Sequence, residues 1–292
     1  MRGILLAGGL GNRLFPLTRG TSKQLLSVYD KPMIYYPLST LILAGISEIL
    51  VITTLEDHAN VKRLLMDGAQ LGIKIEYAIQ ETPNGISASL LLAPEHFRNE
   101  DICLILGDNF FYGTGLGRAL NSINQKPLDS ATIFAYKVKN PESYGVIRFE
   151  QGKPVEIIEK PKEFVSPFAI PGLYFLPKSS FRVASTLTPS ARGELEITDL
   201  LKFYLKSDLL KVEILERGTA WMDMGTPVDL MRTSNFVEAI ESRQGLKIGS
   251  PEEISLEKGF LSKEDFVRLA RAMPESEYKN YLYRVVGEMN IA

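Results

Sequence analysis

Strand-length apolar runs that alternate with helix-patterned segments constrain this chain more than any other feature of its sequence. The runs cover residues 3–7, 48–53, 74–79 and 102–106, and between them residues 33–44, 57–67 and 86–93 place apolar side chains at helical spacing. Buried strands linked by crossover helices fit this alternation, which predicts an α/β fold with a Rossmann-like, mostly parallel mixed sheet flanked by helices. From 130 to 177 the pattern becomes β-rich, with alternation over 131–136 and 145–150. There Gln151-Gly152-Lys153-Pro154 reads as a hairpin turn before a strand over 155–159. A helix over 196–205, a strand over 211–215 and a long helix over 227–242 follow. Beyond Gly249-Ser250-Pro251 the chain is charged, with helical periodicity over 263–272 and 275–286.

Composition excludes several classes. The 292 residues hold 33 Lys+Arg against 35 Asp+Glu, a net charge of −2, so the basic excess of a nucleic-acid binder is missing and no nucleic-acid partner is expected. The single cysteine, Cys103, rules out an intramolecular disulfide and a multi-cysteine zinc site, and its apolar setting reads as a buried strand position. His58 and His96 have no partner at metal-ligand spacing and read as surface residues. No segment reaches the ~18 apolar residues of a membrane span, and the N-terminal apolar run is too short for a signal sequence. No membrane association and a cytoplasmic location are expected.

Three signals carry chemistry. The first strand ends in Ala7-Gly8-Gly9-Leu10-Gly11-Asn12-Arg13-Leu14, where glycine backbone N–H groups can approach phosphates. Leu14 occupies the third glycine position of a dinucleotide fingerprint, and no G-K-[S/T] follows, so neither a Rossmann nor a Walker loop is present. Arg13, Arg19 and Lys23 beside this loop suit a triphosphate, the alternative being a plain glycine turn with solvated charges. The second signal is Asp108, which emerges where the strand over 102–106 ends, a place for a metal ligand or for a turn residue. Asp223 stands in an apolar stretch before a helix, where an unpaired charge is expensive; Thr226 before Pro227 is the better helix cap. Two carboxylates plus phosphate oxygens would complete a Mg²⁺ site. The third is Glu159-Lys160-Pro161, a strand end that could equally be a surface ion pair.

Taken together, Gly8 to Arg13, Ser22-Lys23-Gln24-Leu25-Leu26, 29–38, Leu106-Gly107-Asp108-Asn109, Tyr144-Gly145-Val146, Glu159-Lys160-Pro161, Gly172-Leu173-Tyr174-Phe175, 192–199 and 243–247 resemble the sugar-phosphate nucleotidylyltransferases. The resemblance covers essentially the whole chain and is nearest to the thymidylyltransferases of that family. It implies a nucleotide-diphospho-sugar transferase type of fold. It also implies Mg²⁺-dependent, in-line transfer that joins dTTP and glucose 1-phosphate into dTDP-glucose and pyrophosphate, without a covalent intermediate.

By the same resemblance Gly8, Gly9, Gly11, Gln80, Gly85 and Asp108 bind the nucleotide, and Arg13, Lys23 and Lys160 are catalytic. Asn109, Gly145, Glu159 and Ile170 face the sugar, while Asp108 and Asp223 hold Mg²⁺. A catalytic domain over 1–245 and a C-terminal helical segment over 246–292 are implied, the latter serving assembly into a homotetramer and a regulatory site. Three positions depart from the usual pattern: Gly85-Ile86-Ser87-Ala88, Ile170-Pro171-Gly172 and Met224. They leave open transfer from UTP or CTP, or to another hexose 1-phosphate. A catalytically silent nucleotide-sugar binding module is the alternative of a different class.

Overall fold

A computed structural model describes residues 1–288. Its strands, in chain order, are β1 (Arg2–Ala7), β2 (Ser27–Val28), β3 (Lys31–Pro32), β4 (Glu48–Thr53), β5 (Lys74–Ile79), β6 (Ile102–Leu106), β7 (Asn109–Tyr112), β8 (Ala131–Lys137), β9 (Gly145–Glu150), β10 (Lys153–Glu159), β11 (Phe168–Ala169), β12 (Leu173–Leu176), β13 (Leu210–Ile214) and β14 (Ala220–Asp223). The helices are α1 (Tyr35–Leu43), α2 (His58–Leu65), α3 (Ile86–Leu90), α4 (Glu95–Arg98), α5 (Leu116–Asn124), α6 (Ser179–Thr186), α7 (Ile197–Lys206), α8 (Pro227–Gln244), α9 (Pro251–Glu257), α10 (Lys263–Ala272) and α11 (Glu277–Glu288).

Ten strands form one mixed sheet in the order β10-β9-β11-β8-β12-β6-β1-β4-β5, with β13 added beside β8. β1 pairs in parallel with β4 and β6, and β4 with β5. β12 then runs antiparallel to β6 and β8, which makes the far half of the sheet mostly antiparallel. Because side chains alternate across a strand, neighbours divide between two cores. Leu5, Ala7, Val51, Cys103 and Ile105 pack with α1, α2 and α5, whereas Ile4, Leu50, Ile52, Ile102 and Leu104 pack with α3, α4, α6 and α7. A third cluster joins Met33, Tyr36, Phe110, Met224, Val237 and Ile248, and a fourth holds the C-terminal helices together. Among the described residues no helix is long and apolar enough to cross a membrane.

Strands 48–53, 74–79 and 102–106 fall where the apolar runs place them. The expected helix over 33–44 begins only at Tyr35, because the N–H groups of Met33 and Ile34 turn back to Leu26 O (2.9 Å) and Gln24 O (3.0 Å). The hairpin turn is shorter than its four-residue reading. Gln151 (φ 50°) and Gly152 (φ 78°) alone make it, as a two-residue turn with two left-handed positions requires, and Lys153 already belongs to β10. Pro154 is tolerated there because β10 is an edge strand whose register breaks between Pro154 and Glu156. The helix expected from 275 starts at Glu277, where Ser276 Oγ accepts the Lys279 N–H at 3.2 Å. Cys103 is fully buried, and burial pushes its thiol pKa up. His96 is exposed, whereas His58 is half-buried between Thr53 and the Tyr77 ring.

Candidate active site

The strand order reverses at β1, with β4 and β5 on one side and β6 on the other. Loops leaving the carboxyl ends of β1 and β6 therefore share a crevice. On the β1 side, Gly8 leaves room for Gln80: a Cβ there would lie 3.0 Å from Gln80 Oε1. Gly11 has φ 66° and a Cβ would meet Thr18 Cγ2 at 2.7 Å, so glycine is required twice over. Gly9 is exposed beside Gln24. Arg13 then rides on one short 3₁₀ turn, Asn12–Leu14, and Lys23 on another, Lys23–Leu25, while Arg19 is exposed.

On the β6 side, the β7–β14 ladder pairs Asp223 with Asn109, and Met224 N–H donates to Asp108 O at 2.9 Å. Two carboxylates 115 positions apart in the chain thus become neighbours. They sit in opposite electrostatic states. Burial works against the charge on Asp108, but the Lys23 ammonium, which pairs with Oδ2, and hydrogen bonds including one from Asn109 hold its pKa below the usual carboxylate range. Asp223 is pushed up to about 7, first by burial and then by the negative charge of Asp108; Lys23, and after it Arg13 at 3.8 Å, only partly compensate. Its Oδ1 is buried without a hydrogen-bond partner. An orphaned carboxylate oxygen beside a second carboxylate fits a hard divalent cation. Among the described residues no three His, Cys, Asp or Glu side chains converge, so such an ion would draw its other ligands from substrate and water.

Asn109 ties these parts together. Its Nδ2 donates to Asp108 Oδ1 (2.9 Å), and its Oδ1 accepts from Gly172 N (2.9 Å) and Trp221 Nε1 (2.6 Å). The cleft continues between Ile170, Gly172 and the end of β10, where Glu159 is paired with Gly145. A Cβ at Gly145 would meet Thr198 Cγ2 at 2.9 Å. Burial raises the pKa of Glu159, with Glu196 adding to the rise and Lys160 and Arg192 opposing it. Lys160 adopts φ 42°, a left-handed conformation that a lysine seldom accepts, while its N–H donates to Tyr144 O at 3.0 Å. That conformation leaves its half-exposed ammonium on the cleft wall.

Arg13, Asp108, Asn109, Gly145, Glu159, Lys160, Ile170 and Asp223 all line this cleft. Lys23 stands behind Asp108 and is buried. Outside the cleft lining, Gly8 lies beneath Gln80, whereas Gly9 faces Gln24 and Gly11 faces Thr18 and Lys23; Gly85 precedes Ile86, which lines the cleft. Gly85 has φ 110°, and a Cβ would come within 2.6 Å of Leu195 N. Gln80 Nε2 donates to Asn84 Oδ1 (2.9 Å) and Gly85 O (3.2 Å).

Sequence reasoning gave no role to Tyr144, Arg192, Glu196, Thr198 or Trp221, which also line the cleft. Arg192 reaches Glu196 (2.8 Å), Glu194 (3.3 Å) and Glu159 (3.4 Å), and the charge run from 192 to 196 was the available signal. Of the three departures, Met224 is fully buried in the third core cluster, whereas Ile86 and Ile170 face the cleft.

A sequence model of the family described as "Nucleotidyl transferase" matches residues 2–240. A glucose-1-phosphate thymidylyltransferase of Neisseria meningitidis is 49% identical over 98% of this chain and 99% of its own length. The enzyme of the same name from Mycobacterium tuberculosis H37Rv is 47% identical over 98% of this chain and 99% of its own. Among solved structures, a Bacillus anthracis protein described as a glucose-1-phosphate thymidylyltransferase, in complex with sucrose, superposes with a TM-score of 0.74 at 38% identity, covering 81% of this chain and 94% of that one. A UDP-glucose pyrophosphorylase complexed with UDP-glucose shares the fold, with a TM-score of 0.70 at 21% identity, over 83% of this chain and 99% of its own. With a family match over most of its length, near-half identity to full-length relatives and the paired carboxylates at the strand switch point, the chain belongs to the nucleotidyl transferase family of enzymes.

Proposed function

We propose that this enzyme is a glucose-1-phosphate thymidylyltransferase: it joins dTTP and glucose 1-phosphate into dTDP-glucose and releases pyrophosphate, with Mg²⁺ as its cofactor. The observation that carries the reading is the meeting of Lys23–Asp108, Asp223 with its unpartnered oxygen, and the Gly145–Glu159–Lys160 wall at one cleft. Near-half identity to full-length enzymes of that name supports the choice of substrates.

The sugar phosphate brings an anionic oxygen able to attack the α-phosphorus directly, so the protein needs to position and neutralise rather than to abstract a proton. Arg13 would hold the triphosphate and the departing pyrophosphate, and Lys23, behind Asp108, fixes that carboxylate. Lys160 would bind the phosphate of the sugar, while Glu159 would accept hydrogen bonds from sugar hydroxyls over the bare Gly145. Ile170 would cover the apolar side of the sugar, Asn109 its polar side. Gly8, Gly9 and Gly11 would let the nucleotide approach the backbone, with Gln80 and Gly85 beside the base. Mg²⁺, held by Asp108 and Asp223, would screen the charge on the phosphate oxygens.

We further propose that residues 1–245 form the catalytic unit and that 246–292 serve assembly into a homotetramer and a regulatory site, the exposed Leu246 and Tyr283 being apolar groups available for contact. Light scattering should then return four times the 32.6 kDa chain mass. The single buried thiol and a triphosphate substrate fit the cytoplasm as the place of work.

Incubation with dTTP, glucose 1-phosphate and Mg²⁺ should release pyrophosphate and yield dTDP-glucose by mass spectrometry. No release would overturn the reading. Because Ile86 and Ile170 face the cleft, a second reading is transfer to another hexose 1-phosphate or from UTP or CTP. A panel ranked by kcat/KM decides, and a higher value for any of these reassigns the substrate.

A further inference from the structure

Ser87, one of the positions where the sequence departs from the usual pattern, is fully buried on α3 and, unlike its neighbour Ile86, takes no part in the cleft lining. It holds two consecutive carbonyls of the segment that leads into α7. Its N–H donates to Leu195 O at 3.1 Å and its hydroxyl to Glu196 O at 3.0 Å. A carbonyl oxygen can only accept, so the direction of both bonds is fixed. The first is open to any residue with a backbone N–H; the second needs a hydroxyl. Leu195 N–H adds a third bond, to Asn84 O at 2.8 Å. The start of α7 has no cap of its own. Thr226, Ser250 and Ser262 cap α8, α9 and α10, each side chain accepting an N–H of the first turn. Glu196 holds the corresponding place in α7, yet its carboxylate caps nothing: Oε1 accepts from Ser190 Oγ (2.7 Å) and Arg192 Nε (3.1 Å), and Oε2 from Arg192 Nη2 (2.8 Å). The Ser87 hydroxyl thus holds the Glu196 peptide from outside the helix. Two residues on, Thr198 is 1% exposed and lies where a Cβ on Gly145 would meet its Cγ2 at 2.9 Å.

We propose that Ser87 is a positioning residue for the sugar side of the cleft: by fixing the Glu196 carbonyl, its hydroxyl sets the start of α7, and with it the place of Thr198 over Gly145 and the anchorage of Arg192. Without the hydroxyl the Glu196 carbonyl loses a buried donor, and its peptide tilts to find another. The tilt reaches Thr198 within the first turn of α7. The backbone bond between Leu195 and Asn84 is made one peptide earlier and is left untouched, so the Gln80 side of the cleft stays in place. Ser87 lies outside the cleft lining and acts only through these groups. The inference deepens the function proposed above, and rests on that reading only for the sugar that lies against Thr198.

Structure and substrate are read separately in the test. On the full-length protein, Ser87→Ala and Ser87→Cys are compared with the wild type in two ways: by hydrogen exchange at the amides of residues 201–203, whose acceptors lie in the first turn of α7, and by KM for each substrate. Ser87→Ala should speed that exchange and raise the KM for glucose 1-phosphate roughly fivefold, the worth of one such hydrogen bond, while the KM for dTTP moves less than about twofold. Ser87→Cys fills the space but donates weakly, and should follow Ser87→Ala. A cysteine variant that behaves like the wild type would mean that packing and not the hydroxyl matters, and overturns the proposal. So does unchanged exchange in Ser87→Ala, or KM values that stay put or rise by the same factor, as a merely structural role requires. A wild type without turnover would instead sink the function proposed above, and exchange at 201–203 would still decide whether Ser87 holds the start of α7.

Discussion

Asp108 and Asp223 differ in what each does to stability as well as in what each holds. Lys23 is buried against Asp108, so Asp108→Asn strands an ammonium, a change that typically costs about 3 kcal/mol. Asp223→Asn instead removes a carboxylate whose charge is disfavoured by burial and by its neighbour. Both variants should lose at least a hundredfold in turnover. In the presence of a chelator, thermal unfolding should show Asp108→Asn melting below the wild type and Asp223→Asn melting at or above it. Equal destabilisation by both would contradict the electrostatic asymmetry. The sequence already marked Asp223, because a charge in an apolar stretch demands a reason. Trp221 carried no comparable mark, while Tyr144 and Arg192 stood in motifs that gave their side chains no role. Their approach to the cleft depends on a ladder and loops that meet only in three dimensions, with Tyr144 and Trp221 rings 5.0 Å apart. Met224 shows the converse: its unusual identity is plain in the sequence, but only the fold reveals that its side chain packs in a core rather than in the site.

The elements most legible in the sequence are the inner parallel strands β1, β4 and β6, because burial on both faces leaves a nearly unbroken apolar run. α5 was missed, since glycines at 113, 115 and 117 obscure a nine-residue helix that shows only Leu116, Leu120 and Ile123 as its apolar stripe. β7 and β14 were missed as a pair, because four-residue strands this far apart in the chain leave no local signature. The hairpin of β2 and β3 is held by another non-local device. Lys31, 3% exposed, donates to Asp30 and to Glu241 Oε1 (2.9 Å). Lys247 reaches Asp30 and Glu241 Oε2 (2.7 Å), and Ile248 N–H reaches Glu241 Oε1 (2.8 Å). Breaking a buried ion network by removing one partner is far worse than never having built it. Glu241→Gln should therefore lose about 3 kcal/mol in denaturant unfolding. Burial alone would raise the pKa of Asp30, but Lys247 and Lys31 hold it below its usual value. Its contribution is present above the ordinary carboxylate pKa and is lost as pH falls through the lower folded one. Melting temperature should accordingly decline below about pH 4, and Asp30→Asn should flatten that decline.

Across the whole molecule, the C-terminal helices are continuous with the rest. Ile248 belongs to the third core cluster, Gly249 lies against the Tyr36 ring, and α9 packs along α1. Truncation after residue 245 would bare these surfaces and remove Lys247 from the ion network. The shortened chain should melt well below the full one or remain insoluble, as scanning calorimetry and soluble yield would show; an unchanged melting temperature would mean the tail is dispensable for the fold. On the other side of the molecule, the contact between Gly85 and Leu195 has a consequence for how such an enzyme diversifies. The segment that orients Gln80 and the segment that leads into Thr198 share backbone hydrogen bonds, so the two ends of the cleft cannot drift independently. Under the proposed function, a lineage that reshapes the wall around Thr198 to admit a new sugar would also perturb Gln80. New sugar preferences should therefore arise together with altered base fidelity unless the Asn84–Leu195 junction is left untouched.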